Sequence, residues 1–170
     1  MSLSIYDASV PTLSRVLGSL AAVLDKGNAH AESEKIEPSV LLNLRLYPDM
    51  FPLVRQVQTV SDNAKGCVAR LAQVEPPKYA DTESSFAELQ ERIDKTIAYL
   101  KGFQPRQLEA AESNPIVLKF PNRSLNFNTG WDYLLQFALP NVYFHATTAY
   151  AILRHAGVKV GKRDFLGQVG

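Results

Sequence analysis

Cysteine is almost missing: the chain of 170 residues has one, Cys67. A single thiol cannot close an internal disulfide and excludes a zinc site built from several cysteines, so a reducing cytoplasmic setting is expected. An excess of either charge is missing as well. Lys and Arg number 18 against 17 Asp and Glu, a net +1. That balance gives no general pull toward phosphate backbones or acidic lipid, so neither nucleic-acid nor membrane binding is expected. No run approaches the ~20 apolar residues that span a bilayer. Asp7 and Pro11 break up the start of the chain before any apolar stretch, so no secretory signal is expected.

What is present reads as globular and helical. Hydrophobic residues make up 46% and charged residues 21%, enough for one domain over residues 1–170 that buries roughly two thirds of its unfolded surface. Leu13, Val16, Leu17, Leu20, Val23 and Leu24 recur at three- and four-residue steps and mark a first amphipathic helix. Ser9 can cap it with Pro11 in the first turn, Ser4 offers an earlier start, and Gly27-Asn28 is the expected stop. Pro38 opens a short connector. Asp49 is the expected cap of a second helix with Phe51, Val54, Val57, Ser61, Ala64, Val68 and Leu71 inward and Asp62 on the flank. A third begins at Ser84 or Ser85 and turns Phe86, Leu89, Ile93, Ile97 and Leu100 inward. Its pairs Glu88–Arg92 and Glu91–Lys95 belong to a solvated face.

The runs IVLKF and SLNFN, around Pro121-Asn122-Arg123, alternate as a small β-hairpin. Thr129 then caps a fourth helix whose seam is Trp131, Leu135, Ala138, Val142, His145, Ala149 and Ile152. Pro140 lies inside it and should bend it near Gln136, whose carbonyl loses its partner. The pattern is an all-α four-helix bundle with a short β-hairpin before the last helix.

The blocks SLSIYDASVP, PSVLLNLRLYPDMFPLVRQVQ and PNVYFHATTAYAILRHAGVKVGKRDFLG run through essentially the whole chain. In these it resembles the bacterial domain-of-unknown-function family 1993, which is similar in fold to the DinB/YfiT-like four-helix bundles. The resemblance implies that fold. Within the superfamily it further implies homodimers through bundle faces and, for several members, metal-dependent thiol transfer or hydrolysis. A site of that kind would take one histidine from the second helix and two, four apart, from the fourth.

Residue by residue, His145 matches the first ligand of the fourth helix, but Ala149 stands four positions later and the second helix has no histidine. Only Asp62, Ser61, Gln58 or Asp49 could offer oxygen there. His155 lies roughly 80° around the helix and about 15 Å along it from His145, too far to share an ion. His145 and Asp62 are thus the candidate metal residues, for Zn, Ni or Fe. Each has a plainer alternative: a core imidazole bonded to a neighbouring side chain, and a salt-bridge carboxylate. Ser61 reads as a small spacer and Cys67 as a buried thiol near the outer edge of its helix. Tyr143, Phe144, Tyr150, Trp131 and Tyr133 spread over more than one helix face, so a hairpin or a second subunit should cover part of them. Lys159, Lys162 and Arg163 read as a solvated tail or a dock for Asp164.

Two functions follow. One is a dimeric binding or stress-related protein whose metal site is degenerate. The other is a metal-dependent thiol transferase or hydrolase with an altered ligand set, in which His145 and Asp62 hold the ion. A small-molecule ligand between the helices near Pro140 is a third possibility.

Overall fold

In the computed structural model, residues 3–167 are described. Four long helical segments form the bundle: α1 (Ile5–Glu34), α3 (Leu53–Leu71), α4 (Phe86–Lys101), and a last segment made of α5 (Gly130–Tyr133), a π-turn (Leu134–Ala138) and α6 (Leu139–His155). A short α2 (Pro38–Leu42) connects α1 to α3, and α7 (Lys162–Leu166) packs back on α1. No helix among the described residues is long and apolar enough to cross a membrane.

The first helix starts at Ser4, whose hydroxyl accepts from the Asp7 N–H. Ser9, the expected cap, instead donates to the Ile5 carbonyl at 2.6 Å. Nor does the helix stop at Gly27-Asn28. A Cβ on Gly27 would lie 3.0 Å from Leu153 Cδ2 and 3.2 Å from Phe86 Cε1. The glycine there permits three helices to meet closely. The stop comes at Lys35, in the left-handed region at φ 56°.

Asp49 does not cap α3. It lies in a turn closed by the Met50 N–H to the Tyr47 carbonyl, and the helix begins only after Pro52. Phe51 therefore precedes the helix and is 47% exposed, not part of its inner face. At α4 the expected start holds: Ser85 and Glu88 form a capping box.

The hairpin pairs β1 (Ile116–Phe120) with β2 (Arg123–Phe127) in antiparallel register, Phe120 opposite Arg123, around Pro121-Asn122. Ile116 and Leu118 face the core. Thr129 caps the last segment through the Asp132 N–H. The bend expected at Pro140 takes the form of the π-turn just before it, in which the Leu139 N–H reaches back to Leu134. Widening that turn relieves the clash between the proline ring and the preceding carbonyls. It also rotates the stripe, so that Tyr133 and Leu134 are buried while Leu135 is 58% exposed.

Candidate functional site: a histidine tied to a glutamine

His145 sits where α6 crosses the start of α3, half-buried and at the edge of the core. The residue of α3 that meets it is Gln56, which is 1% exposed. The Gln56 Nε2 donates to the Phe51 carbonyl at 3.0 Å, which turns its Oε1 toward the Nδ1 of His145 at 2.7 Å. An amide oxygen only accepts, so Nδ1 carries the proton and Nε2 is left as the lone-pair nitrogen. Phe51 stacks on the imidazole with centroids 6.3 Å apart and planes 18° apart. Phe144 meets it edge-on at 5.1 Å. Burial, and after it the nearby Arg55 guanidinium, hold the imidazole below its usual range, in the neutral form this hydrogen bond requires.

The metal site implied by the resemblance does not fit these donors. The residue of the second bundle helix that meets His145 is Gln56, not a histidine, and its oxygen is committed to the imidazole. Ala149 puts a fully buried methyl group where the next imidazole would be. Asp62 is not brought to His145: its Oδ1 is held by Lys65 at 2.7 Å and Arg92 at 2.8 Å, on the side of α3 that faces α4. Among the described residues no three His, Cys, Asp or Glu side chains are grouped as a metal would need.

Other candidate nucleophiles are occupied or inert. The Ser61 hydroxyl, buried, pairs with Thr96 at 2.8 Å. Cys67 is not at an outer edge; it is fully buried, and burial pushes its thiol up to about 12. Neither is an activated nucleophile.

Sequence reasoning missed a second polar centre. Arg92, expected on a solvated face, is 3% exposed. Its Nη1 donates to Glu83 at 2.8 Å and to the Ala80 carbonyl at 3.0 Å, while Nη2 reaches Asp62 at 2.8 Å and Asp81 at 3.1 Å. Glu88, its expected partner, is used by the capping box instead. Burial opposes charge on both Arg92 and Glu83, but their mutual hydrogen bond and the surrounding charges win, raising the first and lowering the second. Arg55 pairs with Asp81 and Gln58 with Glu83, so the strap between α3 and α4 is fastened at several points. The Tyr79 ring on that strap lies beside Lys95 Nζ at 4.3 Å and Lys65 Nζ at 4.8 Å. A pocket of about 320 Å³ opens there, lined by Lys78, Tyr79, Glu83, Arg92 and Lys95. Its charges are largely matched internally.

At the tail, Asp164 pairs with Lys26 at 2.7 Å, not with the basic cluster beside it.

Helices and hairpin together define a DinB-like four-helix bundle, in which no three-residue metal-ligand group occurs among the described residues. The chain belongs to the family described as Domain of unknown function (DUF1993), whose model matches residues 5–166. It is similar to the crystal structure of a DinB family member protein from Shewanella denitrificans, at 45% identity and a TM-score of 0.89 over 97% of this chain and 93% of that one. No curated protein matches it.

Proposed function

We propose that this chain is a non-catalytic, homodimeric binding protein of the cytoplasm, in which the position of a DinB-type metal site has become a histidine–glutamine–aromatic site. One observation carries the reading: the Gln56 amide oxygen, oriented by the Phe51 carbonyl, accepts the Nδ1–H of His145, and among the described residues no group of three His, Cys, Asp or Glu side chains includes that ring. A site of this kind accepts one hydrogen bond and offers aromatic faces, which suits a small ligand with a polar N–H or O–H and an apolar body. The dimer is supported by Phe51 and Phe144, 47% and 58% exposed against the imidazole, and by Tyr143, 37% exposed on the same helix. Aromatic side chains left open in a group favour a partner surface.

Elemental analysis and sedimentation of the purified protein test this. The expected result is a dimer with metal well below one ion per chain and a melting temperature unchanged by chelator. Stoichiometric zinc, nickel or iron that is lost in His145→Ala would instead support the metal-dependent thiol transferase or hydrolase.

A further inference from the structure

A different arginine, in the last turn of α3, has almost none of the partners that surround Arg92. Arg70 is half-buried, and the one hydrogen bond of its side chain among the described residues is from Nη1 to the Tyr133 hydroxyl at 3.3 Å. No carboxylate pairs with it among those residues. Tyr133 is 1% exposed and clamped between Phe127 and Phe137, so the anchor is rigid. Gly66 supplies a seat. A Cβ on Gly66 would collide with Nη1 of Arg70 and come within 3.3 Å of its Cζ. Glycine inside a helix is unfavourable relative to alanine. Here its missing side chain is the space in which the guanidinium lies against the helix.

The guanidinium lines a cleft of about 150 Å³ between α3, the hairpin and the π-turn, shared with Asn63, Lys119, Phe120 and Phe137. Arg123 adds a further positive charge, 5.3 Å from the Phe120 ring. Among the described residues, no acidic one lines the cleft. A half-buried cation without a counter-charge, preorganised by an anchor and a seat, is the arrangement that receives an anion. The planar fork of arginine matches a carboxylate, and the two phenylalanines provide an apolar wall. The volume is well below the ~300–1,000 Å³ typical of drug-sized ligands.

We propose that this cleft binds a small carboxylic acid with an apolar tail, its carboxylate on Arg70 and Lys119 and its tail against Phe120 and Phe137. The site uses none of the residues around His145.

The probe is sodium benzoate, titrated into the full chain and followed by NMR at the Arg70 Nε–H and the Asn63 side-chain amide, with benzyl alcohol and inorganic phosphate as controls. The expected result is saturable benzoate binding that shifts both signals. It should weaken at least tenfold in Arg70→Met and in Gly66→Ala and remain within twofold of wild type in His145→Ala. Gly66→Ala keeps the test decisive should Arg70→Met fold poorly, because alanine suits the helix and displaces only the flexible end of Arg70. Absence of saturable shifts would overturn the proposal, as would binding unchanged in a folded variant of either position. Equal binding of benzyl alcohol would overturn recognition of charge. Phosphate binding without benzoate would overturn the apolar tail.

Discussion

Arg92 and Arg70 are the same side chain in opposite circumstances. Arg92 is inside the protein with three carboxylates and a carbonyl on its guanidinium, and only its Nε lacks a partner among the described residues. Arg70 has one neutral hydroxyl and a glycine seat. A buried cation with its anions supplied holds a loop in place, whereas one without them is available to a ligand. His145 lies between the two cases, one ring nitrogen committed to Gln56 and the other not.

Breaking the saturated centre should have the largest effect. Arg92→Ala would leave Asp62, Asp81 and Glu83 around an uncompensated space and release the strap. Since Asp62 and Asp81 are themselves more than a third exposed, the loss should be about 2–4 kcal/mol, read from urea unfolding. An unchanged midpoint would mean that the ion pairs do not fasten the strap.

At the free centre, Gly66→Ala should go the other way. Replacing a helix-interior glycine gains about 0.5–1 kcal/mol, provided the guanidinium can swing aside. A stabilised protein that no longer binds benzoate would separate the seat from the fold; a destabilised one would show that Arg70 cannot move.

The smallest effect concerns His145. Its pKa is lowered in the folded chain, so the unfolded chain takes up a proton first as pH falls. The contribution is therefore present above the unfolded value of about 6.5 and lost as pH drops through the folded value. Unfolding midpoints between pH 7 and pH 5 should decline more steeply for the wild type than for His145→Gln. Parallel curves would contradict the burial of a neutral imidazole. Glu83, lowered in the folded state, contributes a loss at more acidic pH, as that group protonates.

Much of the bundle is legible because its signals are local. The Ser85–Glu88 box, the Thr129 cap and the alternation around Pro121-Asn122 each act within a few residues. Misreadings arise where a distant contact overrides a local rule. Gly27 reads as a stop until Phe86 and Leu153 are packed against it. Arg92 reads as half of a solvated pair until the strap brings Asp81 and Glu83 to it from outside its helix. Gln56 is an ordinary polar residue on α3, and its partner lies 89 positions later. The rotation at the π-turn is likewise invisible to a fixed helical period, although Pro140 marks its place. By contrast, the alanine four positions after His145 is plain in the sequence, and the fold buries it.

The most direct test follows the His145 ring nitrogens by long-range proton–nitrogen NMR while zinc is added at neutral pH. A neutral ring protonated at Nδ1, with no stoichiometric change at Nε2 up to several equivalents of zinc, is the expected result. A saturating shift of Nε2 at one zinc per chain, accompanied by a second protein donor, would contradict the proposal of a binding protein with a lost metal site.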